Sequence, residues 1–236
     1  MKDIIVHNNP KSSISEAYRA IRTNIEFANI DKNIRTILVT STTPGEGKTT
    51  TLSNIAATMT QNDERVLVID CDMRKPRVHK VFGISNKKGL ADMLRKEHNY
   101  ADYIQKVEDL NLDVLTAGKI PTNPSELLHS KAMKNLITAL KEEYDYIFLD
   151  TPPVTPVTDA TILSGYIDGV ILVVASGAVD IDLAKRAVQS MTTIGANILG
   201  VVINKLKVEN AKQYQSYYYY QSKETEEEEE DVHETI

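Results

Sequence analysis

The sequence has a single cysteine, Cys71, and therefore no internal disulfide bond. That usage is typical of a reducing compartment, so we expect a cytoplasmic location. The chain also lacks any apolar run as long as a membrane span, and residues 1–13 lack the apolar core of a signal peptide. We therefore expect no direct insertion into a membrane.

Basic residues are not in excess either. The 236 residues contain 27 Lys and Arg against 33 Asp and Glu, which gives a net charge of −6. The acidic run 226–231 alone supplies six negative charges, so the rest of the chain is near neutral. Because a nucleic-acid-binding face needs a basic excess, we predict no nucleic-acid partner. The length suits one domain with a sizeable core.

The most informative motif present is a Gly-rich turn between an apolar run and a helical stretch. The segment STTPGEGKTT (41–50) matches most of the phosphate-binding P-loop, although Thr42 stands where the motif has its first glycine. The glycines allow backbone amides to approach phosphate, and the helix that begins near Lys48 directs its positive end at the same anion. Lys48 can reach the β- and γ-phosphates, and the Thr49 hydroxyl can bind Mg²⁺. The predicted nucleotide-binding residues of this loop are Pro44, Gly45, Glu46, Gly47, Lys48, Thr49 and Thr50.

Two further apolar runs end in carboxylates. RVLVID ends at Asp70 and is followed by Asp72, and YDYIFLD ends at Asp150. Side chains at i and i+2 of an extended segment point to the same side, so Asp70 and Asp72 form a pair that can hold a metal or accept a proton. An acidic turn that only caps a helix is the alternative for this pair. Asp150 stands where P-loop proteins bind Mg²⁺ directly or through water.

The order of apolar runs and helical stretches predicts an α/β fold, a mostly parallel sheet with helices on both faces. Residues 1–13 are predicted as an extended leader, 14–207 as the P-loop domain and 208–236 as a flexible tail with a tyrosine cluster and an acidic run. The predicted strands are RTILVTS, RVLVID, 112–118, 144–150, 168–176 and 197–205, and the predicted helices are 14–27, 48–60, 89–107, from Asn123 or Ser125 to Leu140, and 181–194.

Three features outside the acidic and Gly-rich motifs have open interpretations. Glu16, Arg19 and Arg22 share one face of the first helix, either as a solvated stripe or as an interface. Asn204 ends the last strand, where it either recognises a nucleotide base or simply terminates the strand. The tail tyrosines are an adhesive surface, an aromatic edge strand or phosphate acceptors. They are Tyr214, Tyr217, Tyr218, Tyr219 and Tyr220.

With these motifs the chain resembles the cytoplasmic catalytic domain of the bacterial tyrosine kinases that serve capsule and exopolysaccharide synthesis. The resemblance runs from about Ser12 to Tyr220. It rests on EAYRAIRTNI (16–25), STTPGEGKTT (41–50), VLVIDCDMRKP (66–76), GKIPTNPSELL (118–128), YDYIFLDTPPV (144–154), Asp159-Ala160, GVVINK (200–205) and the tyrosine cluster. It places the fold within the partitioning and positioning ATPase-like group of P-loop NTPases.

The resemblance implies specific roles. Lys48, Asp70, Asp72 and Asp150 would form the catalytic set, with ATP and Mg²⁺ as cofactors. Thr49, Asp72 and Asp150 would organise Mg²⁺, and Asp70 would be the base that accepts the proton of the attacking tyrosine. Glu16, Arg19 and Arg22 would join neighbouring subunits of a homo-oligomeric ring. The tail tyrosines would be phosphorylated in trans.

The implied partners are a transmembrane activator that recruits the kinase to the inner face of the membrane, protein tyrosine substrates and a cognate tyrosine phosphatase. A partitioning or positioning ATPase that dimerises on ATP is the rival interpretation, because it shares the same motifs. Such proteins usually carry an additional lysine where this chain has Thr43, and they give the tail tyrosines no task. A nucleotide-binding scaffold without catalysis is a third alternative.

Overall fold

One predominantly parallel sheet forms the centre of the molecule. The computed structural model describes residues 3–96 and 99–206, and within them seven strands lie in the order β3-β4-β2-β5-β1-β6-β7. Neighbouring strands are parallel except β3, which is antiparallel to β4. The strands are β1 (Thr36–Ser41), β2 (Val66–Asp70), β3 (Ile104–Val107), β4 (Leu112–Leu115), β5 (Tyr146–Asp150), β6 (Gly169–Ala175) and β7 (Ile198–Asn204).

Helices cover both faces of this sheet. They are α1 (Ile5–Asn8), α2 (Ser13–Asn29), α3 (Lys48–Met59), α4 (Val78–Phe82), α5 (Leu90–Lys96), α6 (Pro124–His129), α7 (Lys131–Leu140), α8 (Asp159–Ser164) and α9 (Ile181–Thr192). Short 3₁₀ turns occupy Thr60–Asn62, Tyr100–Asp102 and Glu108–Leu110. Among the described residues, no helix combines the length and the apolar character that crossing a bilayer requires.

The period-two alternation of the strands divides the apolar residues between two cores. In β1, Ile37 and Val39 pack into one core, and Leu38 packs into the other. The core of Ile37 and Val39 is completed by residues of α1 to α4, and the core of Leu38 by residues of α5 to α9. The predicted α/β sheet with helices on both faces is therefore confirmed.

The register of the central strands places the acidic residues side by side. Asp70, the last residue of β2, pairs with Asp150, the last residue of β5. Val39 of β1 lies opposite Asp150 on its other side, so the Gly-rich turn leaves the sheet beside the same carboxylate. Functional sites of parallel α/β sheets lie at this carboxyl edge.

The N-terminal leader differs from the prediction. The segment before α2 is not simply extended, because Ile5–Asn8 forms a helical turn and Ile4 and Val6 are buried. Asn54 of α3 holds this segment: its Oδ1 accepts from Val6 N at 3.2 Å, and its Nδ2 donates to Asp3 O at 2.8 Å. Ser12 then caps α2, because its Oγ accepts from Ser15 N at 3.1 Å.

Two predicted helices were wrong in part. Among the described residues of 89–107, helix is confined to α5 and the turn Tyr100–Asp102. The stretch ends in β3, because Ile104–Val107 pairs with β4 across a tight connection. The predicted helix up to Leu140 is divided at Ser130, whose extended backbone ends α6 and whose Oγ caps α7 through Met133 N. The predicted tail 208–236 lies outside the described residues.

Candidate active site

The Gly-rich turn joins β1 to α3 through two left-handed glycines. Gly45 has φ +85° and Gly47 has φ +96°, a region that residues with a Cβ rarely adopt. A Cβ on Gly47 would also lie 2.1 Å from Asn204 Nδ2. Thr42, at the position of the missing first glycine, has no positive φ, so the backbone does not require glycine there. Its buried Oγ1 has no hydrogen-bond partner among the described residues.

The first turn of α3 directs amide groups into this loop. The first intrahelical hydrogen bond is that of Thr51 N to Gly47 O, at 2.9 Å. The amides of Lys48, Thr49 and Thr50 precede it and therefore lack intrahelical acceptors. Together with the positive end of the helix dipole, they form an anion-binding site.

Lys48 lies between two carboxylates. Its Nζ is 3.1 Å from Asp72 Oδ2 and 3.5 Å from Asp150 Oδ1, and its side chain is mostly buried. Burial lowers the pKa of Lys48, but Asp150 and Asp72 raise it by more, so the net pKa lies above the ordinary value. Lys48 is therefore positively charged at neutral pH, beside the Gly-rich loop.

Asp150 is fully buried and only partly satisfied. Its Oδ2 accepts a 2.7 Å hydrogen bond from Thr49 Oγ1, whereas its Oδ1 has no hydrogen-bond partner among the described residues. Burial raises the pKa of Asp150, and the nearby Lys48 opposes that rise. A buried carboxylate oxygen without a donor is expensive unless a cation completes it.

The donor set suits magnesium. Thr49, Asp72 and Asp150 provide hard oxygens within one small region, and Asp150 Oδ1 accepts no hydrogen bond among the described residues and lies 3.5 Å from the Lys48 ammonium. The described residues contain no group of three or more His, Cys, Asp or Glu side chains that could hold a metal alone. Mg²⁺ in phosphoryl-transfer sites typically takes one or two carboxylates and completes its shell with phosphate oxygens and water, so the residues present fit it.

Asp70 faces the loop that follows β2. Its Oδ1 accepts from Asp72 N at 3.1 Å, and its Oδ2 accepts from Arg77 N at 3.2 Å and Val78 N at 3.1 Å. Burial, together with the charges of Asp150 and Asp72, raises the pKa of Asp70 well above its ordinary value. These contacts fix the turn that carries Asp72 and Lys75.

Several contacts around the loop could not be read from the motif. The Glu46 carboxylate points inward, where Oε1 accepts from Thr43 N and Thr43 Oγ1, and Oε2 accepts from Ala175 N at 2.8 Å. Asn204 Nδ2 donates to Glu46 O at 2.9 Å, and Lys205 Nζ donates to Gly45 O at 2.6 Å. Only the position of GVVINK at a carboxyl strand end hinted at this connection.

A second buried acid lies beyond the nucleotide loop. Asp159, at the start of α8, is fully buried and accepts from Arg74 Nε at 2.8 Å and Arg74 Nη2 at 3.0 Å. Ser125 Oγ donates to the same carboxylate at 2.6 Å. These contacts join the segment after β2 to the starts of α6 and α8. The Arg74 guanidinium is thus engaged by residues of the same chain.

The three residues predicted for an interface lie on α2, remote in sequence from the loop. Glu16 and Arg19 form an ion pair, and Arg19 Nη2 also donates to Pro10 O at 2.7 Å. Arg22 instead points inward, where its Nη1 donates to Thr58 O at 2.9 Å near the end of α3. The predicted acceptors Tyr214 and Tyr217–Tyr220 lie outside the described residues.

The fold and the site together define a P-loop NTPase of the ParA-like group. A family model described as "ParA: NUBPL iron-transfer P-loop NTPase" matches residues 32–235. The tyrosine-protein kinase YwqD of Bacillus subtilis is 42% identical over 216 residues, which cover 92% of this chain and 91% of YwqD. CapB of Staphylococcus aureus is 39% identical over 214 residues, 91% of this chain and 94% of CapB.

A solved structure agrees with these relatives. The crystal structure of the chimerical protein CapA2B2 superimposes with a TM-score of 0.83 at 42% identity, over 87% of this chain and 91% of that one. The chain belongs to the bacterial tyrosine-protein kinases. The family resemblance inferred from the sequence motifs is thus confirmed.

Proposed function

We propose that this chain transfers the γ-phosphoryl group of ATP to tyrosine hydroxyls in a Mg²⁺-dependent reaction. One observation carries the proposal: Thr49, Asp72 and Asp150 all lie within hydrogen-bonding or ion-pairing distance of Lys48 Nζ, at the first turn of α3. This combination of a cation, a hydroxyl and two carboxylates beside free helical amides matches the needs of phosphoryl transfer.

The nucleotide phosphates bind in the loop of Gly45 and Gly47, against the amides of the first turn of α3. Lys48 exchanges its contacts with Asp72 and Asp150 for phosphate oxygens and stabilises the negative charge of the transferred group. Thr49, Asp72 and Asp150 hold Mg²⁺, which when bound neutralises charge on the β- and γ-phosphates. Catalysis by these residues is chiefly positioning and charge stabilisation.

The acceptor tyrosine must lose a proton, since its ordinary pKa of about 10 leaves it protonated at neutral pH. We assign Asp70 as the base that accepts this proton, and Asp72 is the alternative base. Asp70 Oδ1 accepts only from Asp72 N and so keeps one further acceptor direction, whereas Oδ2 already accepts from Arg77 N and Val78 N. Asp72 Oδ2 faces Lys48, which suits it to the metal and phosphate side.

The proposed acceptors are the tail tyrosines of a neighbouring copy, Tyr214, Tyr217, Tyr218, Tyr219 and Tyr220. Each phosphate adds about −1.5 to −2 charges, and several on one short tail repel one another. We propose that the copies assemble into a ring through Glu16 and Arg19 of α2. Arg22 would hold α2 in place through its hydrogen bond to Thr58 O near the end of α3. Phosphorylation of the tails then loosens the ring.

The cellular role follows from the family. We propose that the kinase works in the cytoplasm at the inner face of the membrane, where a transmembrane activator recruits it. It would phosphorylate other protein tyrosines, regulate capsular or exopolysaccharide synthesis and export, and be reset by a cognate tyrosine phosphatase. Its tyrosine-protein kinase relatives and its lack of a membrane-crossing helix among the described residues support this proposal.

Intact-mass spectrometry after incubation with MgATP tests the proposal. Wild-type chain should gain phosphate in 80 Da steps that map to the tail, and Lys48→Met and a chain ending at residue 206 should gain none. Lys185→Met, a change on the exposed face of α9, is the matched control and should behave as wild type. Sustained ATP hydrolysis without phosphotyrosine, both alone and with an activator's cytoplasmic segment, would favour the dimerising ATPase instead.

A further inference from the structure

Asn204, the last residue of β7, and Lys205, the residue after it, both contact the phosphate-binding loop. Asn204 Nδ2 donates to the carbonyl oxygen of Glu46 at 2.9 Å, and Lys205 Nζ donates to that of Gly45 at 2.6 Å. Two consecutive residues at the end of β7 thus hold two consecutive carbonyls of the loop. Neither contact is expected from the P-loop motif, in which only the loop and its helix take part.

These contacts determine the direction of two amides. In a trans peptide the carbonyl and the following N–H point in opposite directions within one plane. When Lys205 holds the Gly45 carbonyl, the amide of Glu46 must point away from β7. When Asn204 holds the Glu46 carbonyl, the amide of Gly47 does the same. Both amides therefore turn toward the interior of the loop, where the phosphates bind.

The loop needs such an external constraint because of its glycines. Gly45 and Gly47 flank the two peptide planes, and glycine permits backbone conformations of either sign of φ at little cost. Each of these planes joins a glycine to Glu46, and rotation on the glycine side can present its carbonyl oxygen, instead of its N–H, to an anion. Contacts of Lys205 and Asn204 with the carbonyls oppose that rotation.

Lys205 occupies an uncommon backbone conformation for this contact. Its φ of +57° lies in the left-handed region, which is costly for a residue with a Cβ. Its own amide donates to Asn204 Oδ1 at 2.8 Å, so both residues are held in one turn. Asn204 is also held by the segment that follows β6, since Ser176 N donates to Asn204 O at 2.8 Å.

We infer that Lys205 is a positioning residue of the nucleotide site, which acts on the phosphates through the Gly45 carbonyl. This inference rests on the proposed function, because it requires that the loop bind nucleotide phosphates. Lys205→Met keeps the length of the side chain and removes the donor. Lys205→Arg keeps a charged donor and is the conservative variant.

The experiment is calorimetric titration of the full chain with MgADP, combined with ATP dependence of tyrosine phosphorylation. Lys205→Met should bind MgADP about tenfold more weakly or worse, because a charged hydrogen bond is lost. The KM for ATP should rise by a similar factor, and kcat at saturation should change less than threefold. Lys205→Arg should recover most of the affinity, and Lys185→Met should bind as wild type.

The outcomes separate the inference from the proposed function. If the wild-type chain binds no MgADP, the nucleotide site itself is wrong. If the wild-type chain binds and Lys205→Met binds equally well, Lys205 does not position the loop. A kcat that falls while KM stays constant, or a failure of Lys205→Arg to recover affinity, overturns the inference in the same way. Thermal unfolding without nucleotide should give all four proteins the same Tm within about 2 °C, since a larger drop for Lys205→Met would indicate a structural role.

Discussion

Thr49 Oγ1 donates a 2.7 Å hydrogen bond to Asp150 Oδ2, across the gap between the first turn of α3 and the end of β5. The bond aligns a hydroxyl and a carboxylate that come from distant parts of the sequence. It also leaves Asp150 Oδ1 without a hydrogen-bond donor, beside the Lys48 ammonium. Thr49 Oγ1 and Asp150 Oδ1, which we assign to magnesium, are thus held in position without the metal.

Removal of the Thr49 hydroxyl should therefore raise the requirement for magnesium. We expect Thr49→Val to need about ten to one hundred times more Mg²⁺ for half-maximal phosphorylation, since the loss of groups around a metal commonly costs that factor. Thr49→Ser retains the hydroxyl and should stay close to wild type. Titration of activity with Mg²⁺ at saturating ATP measures the effect. Equal magnesium curves for the Val and Ser variants would contradict the assignment.

Gly47→Ala should impair nucleotide binding beyond its effect on stability. The new methyl group would lie 2.1 Å from Asn204 Nδ2 and would force a left-handed alanine. We expect a loss of about 1 kcal/mol or more in the free energy of unfolding, and at least a tenfold loss in MgADP affinity by calorimetry.

Gly177→Ala is the matched control for that change. Gly177 also has a left-handed backbone, with φ +69°, but nothing lies within 4 Å of a Cβ placed there. It should lose comparable stability in urea and retain wild-type affinity for MgADP. Similar affinity losses in both variants would show that backbone strain alone, and not the collision with Asn204, weakens binding.

Arg74 and Arg65 allow a comparison of how much a buried and an exposed ion pair contribute to the free energy of unfolding. Both form two hydrogen bonds to one carboxylate near the ends of β2, but Asp159 is fully buried, whereas Asp145 is partly exposed. Arg74→Gln should cost about 2–4 kcal/mol of unfolding free energy, because it leaves a buried charge with Ser125 as its remaining side-chain partner.

Arg65→Gln should change the free energy of unfolding much less than Arg74→Gln, because solvent screens an exposed ion pair. Urea unfolding of the two variants and of the wild type, in the same buffer, measures both values. Equal losses would mean that the Arg74–Asp159 pair is worth no more than an exposed one. A double variant with Asp159→Asn should lose less than Arg74→Gln alone, since the uncompensated charge is then removed.

Asp168 should make stability sensitive to acid. Its Oδ2 accepts from Arg35 N, Thr36 N and Thr36 Oγ1, and its Oδ1 binds Lys141 Nζ at 2.7 Å. Burial raises the pKa of Asp168, but Lys141 and Thr36 lower it by more, so the folded-state pKa lies below the ordinary value. The stabilisation is therefore present above about pH 4, the pKa of an unfolded Asp, and is lost as the pH falls through the folded pKa.

We expect Asp168→Asn to lower the free energy of unfolding by about 1 kcal/mol at pH 7, a value limited by solvent screening of this partly exposed group. The difference from wild type should shrink as the pH falls below about 4. Asp182→Asn, on the exposed face of α9, should show no such difference at any pH. A constant gap between Asp168→Asn and wild type across the acid range would exclude the ionic explanation.

Much of the fold was predictable from local pattern. Six of the seven strands in the described residues coincide with apolar runs recognised in the sequence. In the central strands β1, β2 and β5 the run is continuous because both faces are buried. The start of α3 at Lys48 was predictable too, since the Gly-rich turn specifies both its entry and its cap. Because β2 and β5 are parallel, their last residues, Asp70 and Asp150, lie side by side at the carboxyl edge of the sheet.

Other features depend on partners far along the chain. Ile104–Val107 carries a weak local signal and becomes β3 because β4 is available to pair with it. The inward direction of Glu46 depends on Ala175, and the contact of Lys205 with Gly45 spans 160 positions. No spacing rule connects such residues. The same holds for Arg22, which looked like a surface residue until Thr58 proved to be its acceptor.

The anchoring of the first residues sets a limit on the smallest piece of this protein that can fold. A chain trimmed to the predicted boundary at residue 14 would lose Ile4 and Val6 from the core and leave the Asn54 side chain without two of its partners. Asn54 lies on the helix whose first turn holds Lys48. We therefore expect that removal of residues 1–13 also disturbs α3, whose first turn carries Lys48 and Thr49.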